Sequence, residues 1–295
     1  MATPTLGQPV GNSHSDPLIN RGEYVYHAAG CFGCHTDRKH GGSALAGGRA
    51  LQTPFGTFYS PNITPDPESG IGEWSEQDFI RAMRFGIGSN GEQLYPVFPY
   101  TSYTQLSDDD LHALWTYLRT RPAVKHLNQP HDLKWFVSFR AMVGIWKALY
   151  FTPGQYKPEA QKSASWNRGA YLVKAMAHCG ECHTPRNILG AAKTDKRYAG
   201  TRNGPEDSVV SNITPDKKTG IGKWSTQELV AYLETGMRPD GDTAEGLMAD
   251  VIDDSLQYLN KYDLAAVAEY IQSLPAVENV LHKTEKKSSE KEVWE

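Results

Sequence analysis

The motif Cys-x-x-Cys-His constrains this chain more than any other feature, and it occurs twice. The first copy spans residues 31–35 (CFGCH) and the second spans residues 179–183 (CGECH). Two thiols on one turn can add to the two vinyl groups of a porphyrin, and the His that follows can bind the iron. A single copy is also compatible with half of a zinc site. Two copies, with all 4 cysteines of the chain inside them, favour covalently bound haem.

This interpretation predicts two covalently bound c-type haems and assigns their attachment residues. The thiols that attach the porphyrins are those of Cys31, Cys34, Cys179 and Cys182. The imidazoles that bind iron on the proximal side are those of His35 and His183. No cysteine remains for a structural disulfide or for a thiolate ligand elsewhere.

The second half of the chain repeats the first, which indicates a duplicated domain. The repeated segments are 21–25 and 168–172 at an offset of 147, 62–66 and 212–216 at an offset of 150, and 111–118 and 264–271 at an offset of 153. Small loop insertions account for the drift in the offset. Each copy therefore holds one haem motif, one helix after a Trp-Ser pair and one final amphipathic helix.

A helix before the haem, loops over it and a helix after it form the layout of a mono-haem cytochrome c of class I. We therefore predict a mainly α protein with two tandem cytochrome c-like domains joined by a linker helix. In the first copy, Ser75 with Asp78 predicts a capped helix, and Ser107 with Asp110 predicts another. Residues 36–72 are rich in Gly and Pro and are expected to be loops that pack on the porphyrin.

Composition and the repeat divide the chain into five segments. We expect a flexible arm at 1–20, a cytochrome c domain at 21–127, a linker with an amphipathic helix at 128–165, a second cytochrome c domain at 166–278 and a charged tail at 279–295. Helical periodicity in the first copy begins at Arg21, which sets the end of the arm.

The linker carries a stripe of large apolar residues at helical spacing between His131 and Phe151. Lys134, Arg140 and Lys147 interrupt this stripe, so it cannot span a membrane. We favour a helix packed between the two domains. The alternative is a docking surface for a membrane-bound partner.

The net charge and the compartment in which haem is attached limit the functions that this chain can have. With 30 basic and 34 acidic residues the formal net charge is −4, so nothing indicates nucleic-acid binding. Covalent haem attachment takes place outside the bacterial cytoplasm, so we expect a periplasmic protein. Residues 1–16 have no apolar core, and we interpret this start as processed or replaced.

Several strings resemble a known family, the cytochrome c subunits of membrane-associated bacterial alcohol, gluconate and aldehyde dehydrogenases. They are 94–100 (LYPVFPY), 166–172 (WNRGAYL), 178–187 (HCGECHTPRN) and the Asn-Ile-Thr-Pro-Asp and Gly-Ile-Gly-x-Trp-Ser blocks of both halves. The resemblance covers residues 21–277 and implies electron transfer from a dehydrogenase to a downstream cytochrome or oxidase. It also implies association with the periphery of a membrane-bound complex.

The distal side of each iron is where the two halves are expected to differ. In the second half the candidate ligand is Met248, in a loop before the last helix where the family places its Met; Met237 is the competitor. A Met that binds no metal most often fills a gap in the hydrophobic core.

The first half has no Met at the corresponding position. Counting back at an offset of 153 equates Met248 with Tyr95, and counting at 150 equates it with Phe98. Haem 1 is therefore expected to have an open distal site or one closed by a Tyr or His. The candidates are Tyr95, Tyr100, Tyr103, His27, His40 and His112.

The leading functional hypothesis is electron transfer by a periplasmic dihaem cytochrome, without catalysis of its own or as the electron-transfer subunit of an oxidoreductase. The alternative is a haem enzyme or ligand-binding protein that uses haem 1 without a Met ligand, in peroxidase-like or small-ligand chemistry.

Overall fold

The computed structural model describes residues 16–281, which form a mainly helical protein with one small sheet. The helices before the linker are α1 (Pro17–Ala28), α2 (Cys31–His35), α3 (Glu76–Phe85), α4 (Tyr100–Tyr103) and α5 (Asp108–Arg119). The later helices are α6 (Ala141–Tyr150), α7 (Ala164–Tyr171), α8 (Gly180–His183), α9 (Thr226–Thr235), α10 (Gly246–Asp254) and α11 (Lys261–Gln272). The strands are β1 (Ala50–Thr53), β2 (Gly56–Tyr59) and β3 (Asp132–Leu133). The predictions for residues 1–15 and 282–295 lie outside the described residues.

Helix α1 begins four residues earlier than the periodicity of its apolar residues predicts. Asp16 caps it by accepting a hydrogen bond from the backbone N–H of Leu18, and Pro17 occupies its first turn. Proline at that position needs no hydrogen-bond partner, so the polar composition before Arg21 does not prevent a helix.

The predicted helix caps are confirmed. Ser75 and Asp78 form a reciprocal capping box at the start of α3, and Ser107 caps α5. Ser225 and Glu228 form the matching box at the start of α9. Each box satisfies two backbone N–H groups that would otherwise lack a partner.

Two close helix pairs form the frame of the molecule: α1 crosses α5, and α7 crosses α11. A Cβ atom on Gly22 would lie 2.1 Å from the carbonyl oxygen of Ala113, and one on Gly169 would lie 1.9 Å from that of Ala266. Only glycine permits backbones to approach so closely. The two crossings occupy equivalent positions of the sequence repeat.

A buried carboxylate links each helix pair to the other half of the chain. Asp110 of α5 accepts a hydrogen bond from Arg21 Nε at 2.8 Å within its own half. It also accepts one from the Tyr171 hydroxyl at 2.5 Å, from the opposite half.

The reciprocal arrangement is built on Asp263 of α11. It accepts from Arg168 Nε at 2.8 Å and Nη2 at 2.6 Å, and from the Tyr24 hydroxyl of the first half. Burial alone would raise the pKa of Asp263, but the hydrogen bonds from Arg168 and Tyr24 lower it. The two halves are therefore joined by a repeated Arg–Asp–Tyr contact.

The loop region 36–72 contains a hairpin that the sequence did not predict. Strands β1 and β2 pair antiparallel with Ala50 opposite Tyr59, and β3 from the linker adds to β2. Short strands with Gly and Pro at their ends are easily mistaken for loops.

The helix of the linker is shorter than expected. Residues 132–133 form strand β3, residues 134–140 form turns and irregular structure, and α6 begins only at Ala141. Val143 is its buried residue, whereas most of its large apolar side chains are exposed. Among the described residues, no helix combines the length and apolar character needed to cross a lipid bilayer.

Candidate functional site

The first Cys-x-x-Cys-His motif forms the short helix α2, which starts after Gly30 in a left-handed conformation at φ 64°. The imidazole of His35 donates from Nδ1 to the carbonyl oxygen of Pro61, at 2.8 Å. This bond fixes the ring and leaves Nε2 as the nitrogen with a free lone pair. A ring held by one nitrogen, with the other available, is the arrangement of an iron or zinc ligand.

The second motif has the same geometry. His183 at the end of α8 donates from Nδ1 to the carbonyl oxygen of Ser211 at 2.8 Å. Pro61 and Ser211 both directly precede the repeated Asn-Ile-Thr-Pro-Asp block. Burial lowers the pKa of His35 and of His183, which keeps both rings neutral at ordinary pH.

The repeated block explains how these carbonyl groups are held, a role that the sequence did not suggest. Asn62 is buried, and its amide donates to the carbonyl oxygen of Val124 at 2.7 Å. Asn212 makes the equivalent bond to Val277 at 2.8 Å. In the sequence, the repetition of the block indicated that it matters, but only the three-dimensional structure connects it to the two histidines.

The four thiols are unpaired and lie in surroundings that disfavour the thiolate. Burial raises the pKa of Cys31 and of Cys179 to about 12, and that of Cys182 to about 11. Cys34 remains accessible to solvent although burial also raises its pKa. Neutral thiols are the form in which cysteine adds to the vinyl groups of a porphyrin.

These residues fit covalently bound haem. Each motif offers two neutral thiols and an oriented imidazole, and the buried hydroxyl of Tyr100 has no hydrogen-bond partner among the described residues. Haem supplies an iron atom that changes between ferrous and ferric states. Within residues 16–281, no group of three His, Cys, Asp or Glu side chains is placed to hold a metal ion by itself.

Met248 lies in the first turn of α10 rather than in a loop, and it packs against the main core. Met237, the competing candidate, is 58% exposed. A partly buried thioether that contacts the core suits both a ligand and a packing residue, whereas an exposed Met suits neither. The geometry therefore favours Met248 over Met237.

The structural repeat favours Phe98 over Tyr95 as the counterpart of Met248. The backbone N–H of Leu94 donates to Gly86 at 2.7 Å, and that of Ala244 donates to Gly236 at 2.8 Å, which keeps the offset at 150 up to four residues before Phe98. Phe98 also packs against the main core, as Met248 does. A phenyl ring has no atom that can bind iron.

Tyr95, which one register of the repeat suggested as a distal ligand, is engaged elsewhere. Its hydroxyl donates to the carbonyl oxygen of Val137 in the linker at 3.1 Å. Its ring lies in a separate small cluster with Phe58 and Val143. This geometry contradicts Tyr95 as a ligand, because its oxygen is directed to the linker backbone.

The histidine candidates also have partners away from the first motif. His40 Nδ1 lies 2.7 Å from Asp37, and His112 Nδ1 lies 2.6 Å from Glu76. His27 stacks on Tyr258 with ring centroids 3.8 Å apart. The hydroxyl of Tyr103 donates to Ala29, which leaves Tyr100 as the buried candidate without a partner.

Comparison with known proteins agrees with these features. The model of the cytochrome c family matches residues 19–122. A diheme cytochrome c-type protein of Cereibacter sphaeroides is 40% identical over 88% of this chain and 86% of its own length. The fructose dehydrogenase cytochrome subunit of Gluconobacter japonicus is 42% identical over 93% of this chain and 56% of its own. The gluconate 2-dehydrogenase cytochrome c subunit of Pantoea cypripedii is 41% identical over 89% and 60%. The chain thus spans little more than half the length of these dehydrogenase subunits.

Proposed function

Because this chain belongs to the family of c-type cytochromes that includes the diheme protein and the dehydrogenase cytochrome subunits, we propose that it is a periplasmic dihaem electron-transfer protein. It receives electrons from a dehydrogenase and passes them to a downstream cytochrome or oxidase. The observation that carries this proposal is the repeated motif with its imidazole held by a backbone carbonyl, at His35 and again at His183.

The proposed architecture is two tandem cytochrome c-like domains of class I, at 21–127 and 166–278, joined by a linker at 128–165. The duplicated glycine crossings and Arg–Asp–Tyr contacts support this division. The first domain includes the earlier turn of α1 from Pro17.

Within each domain the chain has three tasks, and its residues are placed for them. The thiols of Cys31 and Cys34, and of Cys179 and Cys182, would hold the porphyrin covalently. His35 and His183, whose rings are oriented by backbone carbonyls, would bind the iron. Met248 would supply the second protein ligand in the second domain only.

This unequal ligation gives the two sites unequal reduction potentials, since a Met ligand raises the potential of haem iron. We propose that the first domain has the lower potential, so electrons pass from the first domain to the second. A potentiometric titration of the protein with both haems attached tests this directly. Two separate waves are expected, and a single shared potential would contradict the direction.

A second candidate function has one specific observation in its favour. The offset of 150 places Phe98 where the second domain carries Met248, and the buried hydroxyl of Tyr100 has no hydrogen-bond partner among the described residues. A first-domain haem without a distal protein ligand would be able to bind a small ligand such as peroxide or nitrite. Addition of carbon monoxide to the reduced protein discriminates: rapid binding favours this function, and inertness favours electron transfer alone.

We also propose where a membrane-bound dehydrogenase complex contacts the protein. The linker and a neighbouring loop expose apolar side chains that form what we call the linker surface: Trp135, Phe136, Phe139, Met142, Ile145, Leu149, Ile188 and Leu189. Trp146 Nε1 donates to the carbonyl oxygen of Leu189 at 2.9 Å, which joins the linker to the loop. A contiguous apolar patch of this kind marks an interaction site.

The charge around the linker surface favours an acidic partner. Residues 133–158 contain four basic residues and no Asp or Glu, in a chain with a net charge of −4. The test is co-expression with a membrane-bound dehydrogenase identified by sequencing the genes that flank this one. Serine at Trp135, Phe139 and Ile145 is expected to abolish co-purification, whereas serine at the exposed Tyr262 is the matched control. Undiminished co-purification of the triple variant would contradict the proposal.

A further inference from the structure

The attachment turn of each half is contacted by the distal segment of the other half. Thr101 and Ser102 of α4 each donate a hydrogen bond to Glu181 Oε1 at 2.7 Å, and Glu181 lies between the two cysteines of the second motif. Reciprocally, Arg38, just after the first motif, donates to Asp254 of α10 at 3.1 Å. The two attachment turns therefore lie near each other.

The first attachment turn is closely packed against the other half. A Cβ atom on Gly33, inside the first motif, would lie 3.2 Å from Asp254 Oδ2. We call the region between the two attachment turns the junction.

One side chain spans this junction. Tyr103 is 6% exposed, and its hydroxyl donates to the carbonyl oxygen of Ala29 at 2.8 Å, two residues before Cys31. Its ring lies 5.3 Å, centroid to centroid, from the ring of His178, which directly precedes Cys179. Tyr103 thus contacts the chain immediately before both motifs.

The backbone of His178 is held in an unfavourable conformation at this contact. Its φ is 40°, in the left-handed region that Gly30 occupies at the equivalent position before the first motif. A non-glycine residue there costs free energy that a glycine would avoid. The first half keeps the glycine, whereas the second keeps an imidazole that packs on Tyr103.

We infer that Tyr103 and His178 are positioning residues that fix the separation of the two attachment turns and so set the rate of electron transfer between the two haems. This inference rests on the proposed function. One electron passes from a ferrous to a ferric iron, and no bond or proton moves. The tunnelling rate falls steeply with distance, so a bridge that prevents the turns from moving apart controls it.

The experiment uses the full chain with both haems attached, which intact mass spectrometry verifies. A single electron is injected by flash photolysis, and its redistribution between the two spectrally distinct sites is timed. We expect Tyr103→Phe to slow redistribution severalfold, because it removes the bond to Ala29. Tyr103→Leu should slow it further, because it also removes the ring contact with His178.

His178→Gly separates the positioning role from stability. It relieves the left-handed backbone, so the variant should unfold at the same or a higher temperature and yet transfer electrons more slowly between its sites. Tyr171→Phe is the matched control, since it removes another buried hydrogen bond between the halves away from both motifs. Its rate should equal that of the wild type.

Two outcomes overturn the inference. Wild-type redistribution rates in both Tyr103→Phe and His178→Gly would exclude a positioning role, and equal slowing in Tyr171→Phe would reduce it to general packing. A mass that corresponds to fewer than two haems would instead contradict the proposed function.

Discussion

The two halves of the molecule orient their proximal histidines alike and differ on the distal side. His35 and His183 make the same 2.8 Å bond to a backbone carbonyl, from equivalent places in the repeat. The offset of 150 that holds at Leu94 and Ala244 pairs Phe98 with Met248 four residues later. Under the proposed function, the residues that attach haem are the same in both halves, while the proposed distal ligand is present in one half. The comparison then teaches that attachment and tuning of haem are separable in this fold.

The largest effect is expected from removal of one attachment site at a time. Ala at both Cys31 and Cys34 should leave half of the haem per chain and should preserve the long-wavelength absorption band typical of Met ligation. Ala at both Cys179 and Cys182 should also leave half of the haem and abolish that band. Haem content and the optical spectrum are the measurements. A band that survives the second pair of substitutions would place the Met ligand in the first half.

Exchange of the distal residues tests the comparison next. Met248→Phe should lower the potential of the second site by a sizeable share of the roughly 0.8 V over which axial ligands set haem potentials. It should also open that site to carbon monoxide. Phe98→Met should close the first site and raise its potential. Met237→Leu, at an exposed position, is the control and should change neither property.

Local signals in the sequence predicted much of the frame. The haem motifs, the capping serines at Ser75 and Ser107 and the absence of Met near residue 98 all lie in short stretches of chain. Contacts between residues far apart in the sequence could not be predicted in this way. Nothing local marks Pro61 as the partner of His35, because 26 residues separate them.

The wrong predictions have the same origin. The sequence offered Tyr95 as a distal ligand, but its hydroxyl donates to Val137, 42 residues away along the chain. The linker stripe was expected to pack between domains, yet α6 buries only Val143 of its own residues. Periodicity identifies an apolar face, but not whether the chain itself covers that face.

Removal of the buried carboxylate should lower the free energy of unfolding by a different amount in each half. Asp263 accepts two hydrogen bonds from Arg168, whereas Asp110 accepts one from Arg21 Nε. Removal of one partner of a buried ion pair leaves the other uncompensated. We expect Asp263→Ala to lower the free energy of unfolding by about 3 kcal/mol, and Asp110→Ala by about 2 kcal/mol. Denaturant titration of both variants measures the difference, and equal losses would contradict it.

The smallest effect concerns pH and returns to Asp263. Hydrogen bonds from Arg168 and Tyr24 outweigh burial and lower its pKa in the folded protein. A carboxyl with a lowered folded pKa stabilises the protein above its unfolded pKa of about 4, and that contribution is lost as the pH falls through the lower folded value. Asp263→Asn should therefore reduce stability at neutral pH and flatten its loss below about pH 4. An unaltered acid slope in Asp263→Asn would mean that other carboxyl groups govern acid unfolding, and that the contact between the halves is not its pH-sensitive point.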